Sequence, residues 1–306
     1  MSGQAALRAE GLTKHYGDVK ALVDVTLEVV PGEVYGFLGP NGAGKTTMIR
    51  TVMDEIRPTA GKAWILGLDC HRQSVGIRRH IGYLPSDLAL YPNLTGKDTL
   101  TYFANLRGGV DWSRVGELAE RLDAQLDKKV GDLSSGNRQK VGIIAAFMNE
   151  PELLIMDEPS SGLDPLVQRE FQALMRESVE HGASVFLSSH TLSEVQRVAD
   201  RVGVIRHGHL IAQETVASMR SKGIRSVEFD LGTPADAAQF EAVPGVRDVL
   251  VADRRVQLSY DGKMDDLLRM VTSNYEVLDI RSQEADLEEI FLTYYHDDQS
   301  TENVTT

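Results

Sequence analysis

The chain has 306 residues, and 45 Asp and Glu against 32 Lys and Arg give it a formal charge of −13 at pH 7. Hydrophobic residues make up 42% and charged residues 25%, which excludes wholesale disorder and fits a folded soluble protein of about two domains. The acidic balance argues against nucleic acid as a partner, yet leaves room for a local basic site that takes a phosphate ligand.

Cys70 is the single cysteine, so an intrachain disulfide is excluded and a reducing compartment is expected. The opening stretch MSGQAALRAE holds no apolar core of signal-peptide length. No window approaches roughly 18 consecutive apolar residues, so no membrane-spanning helix is predicted. Any membrane role is expected to run through a partner.

In chain order, the first strong signal is the apolar run Val34–Leu38, closed by Gly39 and Pro40. Gly39-Pro40-Asn41-Gly42-Ala43-Gly44-Lys45-Thr46 matches G-x-x-x-x-G-K-[ST], and a helix is expected behind it over Met48–Met53. The glycines let the backbone turn around an anion without Cβ clashes. Unpaired amides at the helix start point at that anion, and the helix dipole adds to their effect. Lys45 is expected to reach the outer phosphates of a nucleotide, Thr46 to ligate Mg2+, and Thr47 to donate to an inner phosphate.

Between Pro85 and Pro151 the spacing becomes helical, as in Leu100, Phe103 and Ala104, then Val115, Leu118 and Leu122, then Ile143, Ile144 and Phe147. A mainly helical insertion is expected over about residues 86–150. The next apolar run, Leu153–Met156, ends in Asp157 and Glu158. Ligands bind at strand carboxyl ends in open α/β sheets. Asp157 can hold Mg2+ through water, and Glu158 can take a proton from an attacking water or position it. Acids at a strand end also fit a solvated turn; the P-loop on the same sheet favours chemistry. Val185–Leu187, followed by Ser188 and Ser189, ends at His190, where a histidine can touch a γ-phosphate and orient the water. Val202–Ile205 is a further run of the same kind. Such short runs fit buried parallel strands, although periodicity alone does not separate them from buried helix segments.

After about Gly223 the pattern changes. Val227, Phe229 and Leu231 alternate with Glu228 and Asp230, and a helix is expected from Pro234 to Val243. Strands follow at Val246–Val251 and Val256–Tyr260. A helical stripe then runs through Met264, Leu267, Leu268 and Val271, and a last strand through Tyr275, Val277 and Ile280. This β-α-β-β-α-β order is the split, ferredoxin-like pattern. A final amphipathic helix is expected at Leu287, Ile290, Phe291 and Tyr294, and a disordered tail over 297–306. Domains are therefore expected at 1–222 and 223–296.

Leu133-Ser134-Ser135-Gly136-Asn137 lies about two dozen residues before the paired acids and resembles the LSGGQ signature of ATP-binding cassette proteins. Ser161-Gly162-Leu163-Asp164 resembles that family's D-loop, His190 its switch histidine, and Tyr16 its adenine-stacking aromatic. The set, in this order, covers roughly residues 7–220. The resemblance implies an α/β P-loop NTPase cassette: a RecA-like parallel sheet core, an antiparallel β subdomain and a helical subdomain. It implies an ATPase that uses ATP and Mg2+, with two cassettes packed head to tail. Ser134, Ser135, Gly136, Asn137 and Asp164 would then meet the partner cassette's nucleotide. The region after Gly223, and Glu284–Phe291 near its end, resemble the accessory domain of multidrug and antibiotic exporter cassettes. That resemblance implies a homodimer at the cytoplasmic face of the membrane, driving two separate permease subunits to expel a hydrophobic compound. A soluble regulatory ATPase of the family is the alternative, and an importer subunit ranks below export.

Two departures from the family pattern stand out. Ser135 replaces a glycine of the signature, and Asn137 its glutamine. Ser86 stands where the family has a glutamine that contacts Mg2+ and the attacking water. Ser86 is too short to copy that reach, so Asp87 or a bridging water is left to substitute. The resemblance implies that the apolar stretch Leu88–Leu94 borders a groove that would receive a coupling helix from the membrane subunit.

Overall fold

Alternation of buried and exposed side chains starts the chain as strand: Leu7, Ala9 and Leu12 are buried while Arg8 and Glu10 face solvent. The computed structural model describes residues 4–222 and 225–283. The chain divides into two compact units at Thr215/Val216.

The first unit opens with β1 (Leu7–Tyr16), β2 (Val19–Val29), β3 (Val34–Leu38), α1 (Lys45–Val52), β4 (Ala60–Ile65) and β5 (Leu68–Asp69). It continues through α2 (Ser74–Ile77), β6 (Ile81–Leu84), α3 (Gly96–Leu106), α4 (Trp112–Arg121) and α5 (Ser135–Phe147). β7 (Leu153–Asp157), α6 (Pro165–Glu180), β8 (Ser184–Ser189), α7 (Leu192–Val198), β9 (Arg201–Arg206) and β10 (His209–Thr215) complete it.

Two sheets result. β2-β1-β4-β5 is antiparallel, and β10-β9-β3-β8-β7-β6 is parallel except for the β9–β10 hairpin. Every residue of β3, β7 and β8 is buried. That is the signature of central parallel strands covered on both faces, and it explains why they read as continuous apolar runs rather than alternating ones. Phe37, Met48, Ile49, Ile155 and Phe186 share one core cluster, and Tyr35 stacks on Phe186 at 5.9 Å between centroids. Each such large side chain stabilises the unit by about 1.5–3 kcal/mol on burial.

The helices of the 86–150 region begin at caps written in the sequence. Thr95 and Asp98 form a capping box on α3, and Asp111 caps α4 through Ser113 N. Ser134 caps α5, and Asp164 followed by Pro165 opens α6.

The second unit holds α8 (Val216–Lys222), β11 (Arg225–Leu231), α9 (Ala237–Glu241), β12 (Val246–Ala252), β13 (Arg255–Tyr260), α10 (Met264–Asn274) and β14 (Val277–Gln283). Its strands lie in the order β12-β13-β11-β14, all neighbours antiparallel. Val227, Phe229, Leu258 and Tyr260 form its core with Phe240, Leu267 and Val271 from the helices.

Three expectations shift. The division falls before α8 rather than after it. The helix expected over 234–243 shrinks to α9, because Asp236 takes an extended conformation and caps it by accepting from Ala238 N at 3.1 Å. Tyr275 ends α10 instead of entering the last strand. The expected final helix through Leu287 and Tyr294, the Glu284–Phe291 segment and the tail lie outside the described residues. Among the described residues no helix is long and apolar enough to cross a membrane.

Candidate nucleotide-hydrolysis site

Parallel register builds the site. Leu38 of β3 lies beside Ser189 of β8, and Asp157 of β7 lies beside Ser188 of the same strand. Gly39, Glu158 and His190 therefore leave the carboxyl ends of three adjacent strands together.

The P-loop needs its glycines for contact as well as for turning. A Cβ on Gly39 would stand 2.4 Å from Ile205 O, and one on Gly44 would stand 2.4 Å from Ala21 O at a φ of +113°. Lys45 is buried. Its Nζ donates to Gly39 O at 2.6 Å and Pro40 O at 3.1 Å, and lies 3.2 Å from Glu158 Oε1. That carboxylate oxygen is buried and accepts no directed hydrogen bond, so its partner is the Lys45 charge alone. The other oxygen, Glu158 Oε2, is 2.7 Å from His190 Nδ1. Glu158 itself sits at a φ of +51°, and its amide donates to Ser188 O at 3.2 Å. Lys45, Glu158 and His190 thus form one chain of charge-assisted contacts.

Thr46 Oγ1 donates to Asp157 Oδ2 at 2.7 Å, and Asp157 is 1% exposed. The pair offers hard oxygen donors. Among the described residues no group of three or more His, Cys, Asp and Glu could hold a metal. This donor set therefore fits a cation bound by one or two protein oxygens plus phosphate oxygens, not one held in an all-protein cage.

The signature segment is organised from within the chain. Ser134 Oγ accepts from Asn137 N at 3.2 Å. The Asn137 side chain donates to Gln125 O at 3.0 Å and accepts from Gln125 N at 2.9 Å. Both ends of that amide are occupied, and the side chain anchors the α5 start to the preceding loop. Asp164 is likewise engaged locally, its carboxylate accepting from Leu166 N and Val167 N, each at 3.0 Å. The Val167 amide above all holds its carboxyl below the ordinary range. Ser134, Ser135 and Gly136 stand at the α5 start, where backbone amides have no helical partner. A Cβ on Gly136 would lie 2.6 Å from Gly162 O, so glycine there lets the signature and the Ser161–Asp164 loop touch.

Tyr16 ends β1 with 46% of its surface exposed, and Lys14 Nζ lies 4.9 Å from its ring centroid. Ser86 is exposed just after β6. With Asp87 and Asp157 it lines a cleft of about 730 Å³, bounded also by Arg50, Leu90 and Arg107. Sequence reasoning passed over two side chains that the structure brings to the site. Ser188 Oγ donates to Asp157 Oδ1, and Gln139 Nε2 donates to Pro159 O at 2.8 Å. For Ser188 the available signal was the serine pair that ends β8 after three apolar residues.

A phosphate loop with buried Lys45, a Thr46–Asp157 pair and a Glu158–His190 pair, on three neighbouring parallel strands, define a P-loop ATPase. A family model described as ABC transporter matches residues 22–161. The chain is 36% identical over 259 residues to the bacitracin transport ATP-binding protein BcrA of Enterococcus faecalis, covering 83% of this chain and 84% of that one. It is 33% identical over 308 residues to the daunorubicin resistance ATP-binding protein DrrA3 of Streptomyces coeruleorubidus, covering 96% and 97%. A solved structure of the ATP binding subunit of an ABC transporter superposes with a TM-score of 0.65 at 32% identity, covering 70% of this chain and 92% of that one. The chain belongs to the ABC transporter ATP-binding proteins.

Proposed function

We propose that the chain powers an exporter: two identical copies act on two separate permease subunits at the cytoplasmic face of a membrane and drive a hydrophobic, antibiotic-like compound outward. The meeting of Lys45, Glu158 and His190 within bonding reach carries the catalytic part of this reading. The names of BcrA and DrrA3 support the transport part. No observation favours the soluble alternative.

The residues divide the work as follows. The Tyr16 ring stacks on adenine, and the P-loop amides with Thr47 hold the inner phosphates. Lys45 exchanges the Glu158 carboxylate for the γ-phosphate. Glu158, released on one side and still held by His190, faces the attacking water. The water oxygen bonds to the γ-phosphorus as Glu158 takes its proton, and the bond to the bridging oxygen of ADP breaks. Thr46 and Asp157, with Ser86 or Asp87 nearby, would hold Mg2+, which neutralises phosphate charge when bound. In the second copy, Ser134, Ser135 and Gly136 present the α5 amides to the same γ-phosphate. Such a helix end favours an anion by about 0.3–1 kcal/mol when exposed and up to about 2 when partly buried. ATP therefore joins the two copies, and hydrolysis separates them. Asp164 shapes the loop between them. The cleft beside Leu88 and Leu90 takes the permease's coupling helix.

The test uses the chain with its permease in inside-out vesicles. ATP and magnesium are expected to drive uptake of a hydrophobic fluorescent compound, and ATP to pair the purified chain in size-exclusion chromatography. Absence of ATP-dependent pairing in the presence of permease and magnesium would remove the reading.

A further inference from the structure

Ser188 is a fully buried hydroxyl in β8, registered against Asp157 of β7. Burying a hydroxyl is unfavourable unless it is bonded. Here it is bonded twice, and both partners belong to the acidic pair. Its Oγ donates to Asp157 Oδ1 and accepts from the amide of Glu158 at 3.1 Å.

The two bonds have separate consequences. With Oδ1 engaged by Ser188, the Asp157 carboxylate is turned so that Oδ2 meets Thr46 at 2.7 Å. One oxygen is fixed by β8 and the other is presented to the P-loop. The second bond shares the Glu158 amide with the Ser188 carbonyl, 3.2 Å away, and adds to its hold on the backbone where Glu158 adopts a φ of +51°, a conformation that side-chain-bearing residues rarely keep without support. That turn is what sends the Glu158 side chain back toward Lys45 and His190. An alanine would fill the same apolar strand position and supply neither bond.

We propose that Ser188 is a positioning residue for ATP hydrolysis: its hydroxyl aims Asp157 at the metal and braces the turn that aims Glu158 at the water. It acts through the two acids. The inference rests on the reading of Thr46 and Asp157 as the metal-holding side chains.

The experiment uses the full chain with ATP and Mn2+ as the metal probe. Mn2+ binding to the protein–ATP complex is followed by electron paramagnetic resonance. ATP binding in EDTA is followed by fluorescence. Ser188→Ala is expected to weaken Mn2+ binding about 10- to 100-fold, the usual cost of losing a group that orients a metal ligand. ATP binding in EDTA is expected to stay at the wild-type value. In an Asp157→Asn background the Ser188→Ala change is expected to add no further loss, since the hydroxyl acts through that carboxylate. Ser188→Cys keeps the volume with a weaker donor and is expected to fall between Ser and Ala; it serves in place of Ala if that variant does not fold. Wild-type Mn2+ affinity in Ser188→Ala, a full additional loss in the Asp157→Asn background, or a parallel loss of ATP binding in EDTA each overturns the inference. Unchanged Mn2+ binding in Asp157→Asn alone removes the metal reading and the inference with it.

Discussion

Changing Glu158 to Gln tests two roles of one side chain. The carboxylate stands 3.2 Å from Lys45 Nζ, with the two side chains 20% and 6% exposed. At an effective dielectric of about 20, the gross attraction at this separation is about 5 kcal/mol. Desolvation of both groups offsets most of it, leaving a net contribution of about 1.5–3 kcal/mol for a hydrogen-bonded charged pair, and less for this undirected contact. In the proposed function the γ-phosphate takes the place of this carboxylate at Lys45. Glutamine has the same shape without the charge. Taking about 1 kcal/mol as the lost competition, ATP binding is expected to tighten roughly fivefold. Turnover is expected to fall about 10²- to 10⁴-fold through loss of the general base. Equilibrium binding at protein concentrations too low for pairing reads the first effect, and single-turnover hydrolysis reads the second. Weaker ATP binding than wild type would refute the competition, and near-normal turnover would refute the base.

Gly136→Ala places a methyl 2.6 Å from the Gly162 carbonyl, so thermal unfolding should show a loss of about 1–3 kcal/mol. ATP-driven pairing should disappear while single-copy ATP binding persists; pairing at wild-type levels counts against the contact. Leu90→Asp puts a charge into the 730 Å³ cleft and should uncouple hydrolysis from the permease while ATP binding persists, so normal transport in that variant would be the contrary result. Arg121 pairs with Glu117, Glu170 and Glu177, and its hydrogen bonds hold the Glu177 carboxyl below its ordinary value of 4.5. A depressed carboxyl stabilises the fold above the unfolded value and loses that contribution as pH falls through the folded one. Because these glutamates are partly exposed, Arg121→Ala should cost only about 1 kcal/mol in urea unfolding at pH 7. The difference should shrink below the glutamate's unfolded value of 4.5; a deficit that does not change with pH would exclude the charge explanation.

The phosphate site was legible because its chemistry is contiguous. Gly39–Thr46 packs turn, amides, cation and hydroxyl into eight consecutive residues, so spacing alone specifies the geometry. Asp157, Glu158 and His190 were legible because each ends an apolar run, and strand ends converge in a parallel sheet. The helix caps at Thr95, Asp111, Ser134 and Asp164, which the sequence reading did not name, are local as well: each side chain bonds an amide two or three residues on. At Asp164 the motif position and the helix cap fall on one carboxylate.

Asn137 and Ser188 mark what sequence order could not reveal. Asn137 finds its partner twelve residues upstream, and Ser188 finds Asp157 thirty-one residues away. Such pairings depend on the register between neighbouring strands and on how a loop packs against a helix. Side-chain period along one strand says which face a residue takes, but only sheet assembly says which residue lies opposite. Composition and motif spacing therefore determined the P-loop ATPase class and named the candidate residues of its site. Tertiary packing alone decided that Lys45 is paired with Glu158 and that a buried serine bonds to both acids, because those contacts exist only once separate strands lie side by side.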